Sequence, residues 1–153
     1  MTQEARFVHT NLIAQDWRHL ARFYEQVFGC TPIPPERNLQ GRWLEGATGV
    51  AGAQIQGIHL RLPGYGDGGP TLEIFQYSPA RERQGAGINH PGFAHIAFAV
   101  DDVSAARDAV LAAGGQPVGE IVTREITGTG QITFAYVTDP EGNGIELQRW
   151  LAG

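Results

Sequence analysis

The feature that most constrains the fold is an internal repeat. A short apolar segment that carries one histidine and runs into a helix start occurs twice, first around His9 and again around His95. The offset of 86 residues, from 9 to 95, aligns three further pairs of positions: Phe7 with Phe93, Asp16 with Asp102, and Gly29 with Gly115. One folding unit is therefore predicted to occur twice, with a histidine at the same place in each copy.

The first copy is predicted to contain one helix and several strands. Apolar residues at helical spacing predict a helix from Trp17 to Phe28, with Asp16 as N-cap and Gly29 as C-cap. Alternation of apolar and polar residues predicts strands over 6–13, 53–62 and 71–77. Prolines at 32, 34 and 35 exclude regular helix there. Residues 42–44 fit either a strand or a short helix, and residues 46–52 are predicted to form a loop.

The second copy repeats this order after a polar, glycine-rich linker over 78–91. We predict a helix over 103–113, an extended segment over 117–125, and strands over 93–100, 131–138 and 145–150. Each copy is thus a βαβββ unit, with module 1 at about 5–80 and module 2 at about 90–151. Because neither unit can bury its sheet face alone, we expect one α+β domain over 1–153, in which the two units pair as a cupped mixed sheet.

Composition excludes several classes of function. The net charge is −5 and the arginines are scattered, which argues against binding to nucleic acid. No apolar run approaches the roughly 20 residues that span a bilayer. Residues 1–6 lack the apolar core of a signal peptide, so a cytoplasmic protein is expected. Cys30 is the single cysteine and cannot form an intrachain disulfide. A small-molecule substrate is the expected partner.

Four residues carry the chemistry that the repeat suggests. His9 and His95 lie in the first strand of their units, and Glu73 and Glu146 lie in the last strand between apolar neighbours. Any one of them alone is more often a structural residue. If the concave faces of the units pack together, however, all four can converge on one point. Burying two carboxylates there without a cation is costly. Two imidazoles and two carboxylates suit one divalent metal, whether Zn, Ni, Co, Mn or Fe.

The whole chain resembles the vicinal oxygen chelate superfamily, which includes glyoxalase I, methylmalonyl-CoA epimerase, extradiol dioxygenases, and fosfomycin and bleomycin resistance proteins. The matching segments are Phe7–His9, Phe23–Gly29, Leu72–Ile74, Gly92–Phe98 and Asp139–Leu147. The resemblance implies paired βαβββ modules around a cupped sheet. It also implies one metal ion held by His9, Glu73, His95 and Glu146.

The four-ligand set is similar to that of glyoxalase I and of the epimerases. This resemblance implies a lyase or isomerase that transfers a proton next to a carbonyl, with a metal-stabilised enediolate and with Glu73 and Glu146 as candidate catalytic bases. A ferrous extradiol dioxygenase is the first alternative, although that class uses two histidines and one glutamate. A non-catalytic binding protein like the bleomycin resistance proteins is the second, although those proteins generally lack the metal ligands.

Two departures from glyoxalase I concern glutathione. The arginine that usually follows the first histidine is replaced by Thr10–Ile13, and the asparagine that commonly follows the glutamate is missing after Glu73. No coenzyme A signature can be read either. Residues that share strand parity with the four ligands are predicted to line the substrate pocket, namely Asn11, Phe75 and Gln148. His59 shares strand parity with Arg61, and the two face either the cavity or solvent. Members of the superfamily often dimerise, so a homodimer is expected, with the metal site either within one chain or shared between two.

Overall fold

The computed structural model describes residues 3–85 and 87–152, which form nine strands and three α-helices. The described chain divides into two compact units, of which the first ends at Glu82 and the second begins at Arg83. The predictions for the N-terminal residues 1–6 and for the linker over 78–91 include positions 1, 2 and 86, which lie outside the described residues.

The first unit is a four-stranded mixed sheet with two helices. Its elements are β1 (His9–Ile13), α1 (Trp17–Phe28), β2 (Thr31–Gln40), α2 (Arg42–Thr48), β3 (Gln54–Arg61) and β4 (Thr71–Ser78). The strand order is β1-β4-β3-β2, in which β1 and β4 are parallel and the other pairs are antiparallel. The predicted caps of α1 are confirmed: Asp16 accepts a hydrogen bond from the backbone N–H of His19 at 3.1 Å, and Gly29 has φ 71°.

Three details of the first unit differ from the sequence prediction. β1 begins at His9. Residues 6–8, which were predicted to belong to this strand, therefore lie outside it. The prolines after Thr31 lie in β2, an edge strand where missing N–H donors are tolerated, and the register shifts between Ile33 and Arg37. The predicted loop over 46–52 is wrong for residues 46–48, which belong to α2. That helix is stabilised because Leu44 is buried against Ala53 and Ile55.

The second unit is a five-stranded mixed sheet with one helix. Its elements are β5 (His95–Ala99), α3 (Val103–Ala112), β6 (Gln116–Pro117), β7 (Val122–Ile126), β8 (Gly130–Thr138) and β9 (Gly144–Ala152). The order is β5-β9-β8-β6, with β7 also paired to β8, and only β5 and β9 are parallel. The segment predicted to be extended over 117–125 thus contributes to two short strands, β6 and β7, and both pair with β8.

In each unit a helix covers one face of the sheet. Helix α1 packs on β3 and β4, and α3 packs on β8 and β9. The alternate residues of β4 that are fully buried are Leu72 and Ile74, and those of β9 are Ile145 and Leu147. The period of two along a strand then turns the intervening glutamates to the opposite face. None of the described helices has both the length and the hydropathy needed to cross a bilayer.

Candidate metal centre

Glu73 is the centre of a polar cluster on β1, β3 and β4 of the first unit. It is one of two charged residues buried in the described chain, with 8% of its surface exposed. His9 Nε2 lies 3.0 Å from its Oε1, and the same oxygen accepts a hydrogen bond from Asn11 Nδ2 at 3.2 Å. His59 Nε2 lies 2.7 Å from its Oε2. The buried carboxylate is therefore compensated by donors on both oxygens, as burial of a charge requires.

His59 is the less exposed of the two histidines in this cluster. Burial lowers the pKa of His59, and the nearby Arg37 and His9 lower it further, while the negative charge of Glu73 acts in the opposite direction. The contact with Glu73 is a hydrogen bond that the Nε2–H donates to the carboxylate.

The second unit presents a similar pair on β5 and β9. His95 Nε2 lies 3.6 Å from Glu146 Oε2, and that oxygen accepts a hydrogen bond from Gln148 Nε2 at 3.2 Å. Gln148 in turn accepts from Trp150 Nε1 at 2.7 Å, which orients its amide. The ring of Tyr136 packs edge-on against His95 at 5.2 Å between centroids. Glu146 is thus held more loosely than Glu73.

A cavity of about 250 Å³ opens beside His95 in the second unit. Phe93 and Tyr136 are among the residues that line it, as are Arg83 and His90 from the segment before β5. Arg83 donates hydrogen bonds to Asn143 Oδ1 at 2.5 Å and to the carbonyl of Glu141 at 3.3 Å, so this segment is fastened to the turn before β9. This volume lies just below the range of about 300–1,000 Å³ that is typical of small-molecule pockets, so only a compact ligand would fit.

The donor chemistry of the two pairs fits a divalent cation. Two ligands bound about 2.1 Å from such a cation, at tetrahedral or octahedral angles, lie about 3.0–3.4 Å apart. The His9–Glu73 separation of 3.0 Å falls within this range, and the His95–Glu146 separation of 3.6 Å is slightly wider. Among residues 3–85 and 87–152, no group of three or more His, Cys, Asp or Glu side chains has a geometry that could hold a metal ion. Each unit by itself thus contains one His–Glu pair with a spacing close to that of two ligands of one cation.

The three predicted pocket residues lie near the site glutamates or His59, but none of them lines the cavity beside His95. Asn11 hydrogen-bonds Glu73, Gln148 hydrogen-bonds Glu146, and the ring of Phe75 lies 5.8 Å from that of His59. Sequence reasoning left the direction of His59 open and did not single out Tyr136. Both lie directly opposite a site glutamate in the antiparallel register. The sequence does contain a signal for the pairing of His59 with Glu73. The two residues are equally far from the middle of the glycine-rich loop between their strands, as expected of opposite residues in a hairpin.

Known proteins share both sequence and fold with this chain. The model of the glyoxalase/bleomycin resistance protein/dioxygenase superfamily matches residues 6–147. A probable lactoylglutathione lyase of Vibrio cholerae is 32% identical over 148 residues, which cover 93% of this chain and 88% of that protein. The lactoylglutathione lyase of Haemophilus influenzae is 30% identical over 146 residues, which cover 93% of this chain and 90% of that protein.

Solved structures show the same architecture. A glyoxalase family protein from Bacillus cereus superposes with a TM-score of 0.76 at 20% identity, covering 99% of this chain and 97% of that one. A fosfomycin resistance protein from Listeria monocytogenes superposes with a TM-score of 0.57 at 17% identity, covering 96% of this chain and 91% of that one. These likenesses confirm the predicted α+β fold of the vicinal oxygen chelate type. The chain belongs to the glyoxalase/bleomycin resistance protein/dioxygenase superfamily.

Proposed function

We propose that this protein is a metal-dependent lyase or isomerase of the glyoxalase type, which moves a proton next to the carbonyl group of a small substrate. The observation that carries the proposal is the duplicated pair, His9 with Glu73 at 3.0 Å and His95 with Glu146 at 3.6 Å. The names of the relatives from Vibrio cholerae and Haemophilus influenzae support a lyase.

The same four residues would hold the cation. Their two imidazole nitrogens and two carboxylate oxygens, with no thiolate, suit Zn, Ni, Co, Mn or Fe. When bound, a divalent cation supplies a Lewis acid that polarises a carbonyl group and makes the adjacent C–H more acidic. The protein itself then has to provide a base for that proton and a cavity that excludes bulk water.

The two glutamates are unequally suited to act as the base. Glu73 would have to break contacts with His9, His59 and Asn11 in order to move toward a substrate. Glu146 has one hydrogen bond, from Gln148 at 3.2 Å, and a longer contact with His95. Glu146 is therefore our candidate for the residue that takes up and returns the proton, and Glu73 is the candidate for a fixed ligand.

The substrate is proposed to be a small carbonyl or acyl compound. The cavity beside His95 is lined by the aromatic rings of Phe93 and Tyr136, and its volume of about 250 Å³ matches a small molecule. The relatives' name makes lactoylglutathione the first compound to test. Thr10–Ile13 lack the arginine that serves glutathione in glyoxalase I, so the assay needs other thiols beside glutathione.

The geometry favours proton transfer over the two alternatives. An extradiol dioxygenase needs only one glutamate, whereas here both Glu73 and Glu146 face a histidine on the neighbouring strand. A purely binding protein like the bleomycin resistance proteins has no use for four such ligands. The expectations of a homodimer and of a cytoplasmic setting stay predictions, and sedimentation velocity tests the first of them.

Metal analysis and substrate assays test the proposal together. We expect the purified protein to carry close to one divalent metal per chain, His95→Ala to lose most of it, and His19→Ala, which changes an exposed histidine of α1, to keep it. We expect the protein to form a thioester from methylglyoxal and either glutathione or another thiol. The ultraviolet absorbance of the thioester measures this reaction. Metal-free protein in both the wild type and His95→Ala would overturn the proposal. Oxygen uptake with iron and a catechol, without thioester formation, would replace it by the dioxygenase.

A further inference from the structure

Glu73 is flanked by a polar residue on each neighbouring strand. In the register of the sheet, Asn11 of β1 lies opposite Glu73 on one side and His59 of β3 lies opposite it on the other. The two carboxylate oxygens are divided between these partners. Oε1 faces His9 and Asn11, whereas Oε2 faces His59. One oxygen of Glu73 therefore contacts the predicted ligand His9, and the other contacts His59.

The bond from His59 is the shortest and most enclosed of the contacts to this carboxylate. Its length is 2.7 Å, compared with 3.0 Å for His9 and 3.2 Å for Asn11. The side chain of His59 is 21% exposed, compared with 40% for His9. Hydrogen bonds to a charged acceptor are stronger than neutral ones, and low local dielectric strengthens them further. Removing this donor would therefore release Oε2 more than removing Asn11 would release Oε1.

The imidazole of His59 is itself held in place by neighbouring rings. The ring of Phe75 packs edge-on against it at 5.8 Å between centroids, and the ring of His9 does so at 6.1 Å. These two rings restrict the rotation of the imidazole, which lowers the entropy lost when His59 holds Glu73.

The second unit shows that the sheet does not need a histidine at this position. Tyr136 lies opposite Glu146 in the register, as His59 lies opposite Glu73. Tyr136 packs its ring against His95, and the donor to Glu146 comes from Gln148 on the same strand as Glu146. A histidine opposite the glutamate is therefore particular to the first unit.

We propose that His59 is a positioning residue for metal binding, a role that rests on the metal-dependent function proposed above. Its Nε2–H holds Oε2 of Glu73 and leaves Oε1, which faces His9, as the oxygen that would be available to a cation. Without this donor only the contacts of Oε1 with His9 and Asn11 hold the carboxylate. The carboxylate is then less constrained, and part of the ligand geometry has to be ordered when a cation binds. Loss of such an outer hydrogen bond to a ligand typically weakens metal binding about 10- to 100-fold.

Titration of metal-free protein with Co²⁺ tests this role without any activity assay. Calorimetry gives the affinity, and the visible absorption of the Co²⁺ complex reports the geometry of its ligands. His59→Phe keeps a ring of similar size but has no donor, whereas His59→Gln keeps an N–H donor of similar reach. His19→Gln is the matched control, because His19 is an exposed histidine of α1. Circular dichroism establishes that each variant is folded.

We expect His59→Phe to bind Co²⁺ about 10- to 100-fold more weakly with an altered spectrum, and His59→Gln and His19→Gln to stay near the wild type. Equal affinity in the wild type and His59→Phe would overturn the proposal, and so would an equal loss in His59→Phe and His59→Gln. Should His59→Phe not fold, His59→Asn replaces it, because its shorter amide does not reach Oε2. A wild type that binds no divalent metal would instead refute the proposed function.

Discussion

Asp139 organises the turn between β8 and β9, and we predict that its replacement strongly destabilises the protein. Its side chain is 1% exposed. Its Oδ1 accepts hydrogen bonds from the backbone N–H groups of Glu141 at 2.8 Å and Asn143 at 3.0 Å, and its Oδ2 accepts from Asn143 Nδ2 at 2.8 Å. The turn leads directly into β9, which carries Glu146.

The size of the effect follows from these three bonds. A hydrogen bond to a charged group contributes about 1.5–3 kcal/mol. Water reaches parts of the turn, so we take the low end and expect Asp139→Ala to lose about 3–5 kcal/mol of unfolding free energy. For a domain of this size, each 1 kcal/mol lowers Tm by about 2–4 °C, which gives a decrease on the order of 10 °C. Asp139→Asn keeps one acceptor oxygen but turns an NH₂ group toward Asn143. We therefore expect this variant to lose about 1–2 kcal/mol of unfolding free energy.

Guanidinium denaturation followed by circular dichroism measures these losses. Asp108→Ala is the matched control, because Asp108 is exposed on α3 and a surface change of this kind stays within about 0.5 kcal/mol. The expected order of destabilisation is Asp139→Ala, then Asp139→Asn, then Asp108→Ala. A loss for Asp139→Ala no larger than that of the control would refute the reasoning. No measurable loss for Asp139→Asn would refute the assignment of Oδ2 as the acceptor of the bond from Asn143 Nδ2.

Three further predictions concern the site and the core. Glu146→Gln is expected to lower kcat about 10²-fold or more, as loss of a general base does, whereas Glu73→Gln is expected mainly to weaken metal binding, measured by calorimetry. Burial raises the pKa of the Cys30 thiol to about 12, so we expect Ellman's reagent at pH 8 to label it only after unfolding, and rapid labelling of native protein would contradict this. Gly57→Ala would place a Cβ 2.0 Å from the backbone oxygen of Ile74, so we expect a loss of about 1–3 kcal/mol, seen as a lower Tm.

Much of the local structure could be predicted from neighbouring residues alone. Asp16 caps α1 as predicted, because a carboxylate at that position can accept a free backbone N–H two or three residues later. For α3 the sequence allows either Asp101 or Asp102 as the cap, and the structure shows that it is Asp102. The buried faces of β4 and β9 follow from alternation with a period of two. These interactions span a few residues, and therefore the sequence pattern was sufficient to identify them.

Elements that depend on distant partners were predicted less well. Residues 46–48 are helical because α2 buries Leu44 against residues of the following strand. The proline-rich segment is a strand because it lies at a sheet edge beside β3. In both cases packing overrides the weak local preference of the segment.

The candidate site divides in the same way. The ligand candidates could be predicted from the sequence alone, because each copy of the repeat contains one histidine and one glutamate, His9 with Glu73 and His95 with Glu146. Strand parity predicted Asn11 and Gln148 beside them. The contact between His59 and Glu73 is known from the tertiary structure alone, since the loop between β3 and β4 sets their register. The same holds for Tyr136, which lies opposite Glu146. Parity gives the face on which a side chain lies, but the partner across the strands depends on register, because a shift along the neighbouring strand replaces every opposite residue.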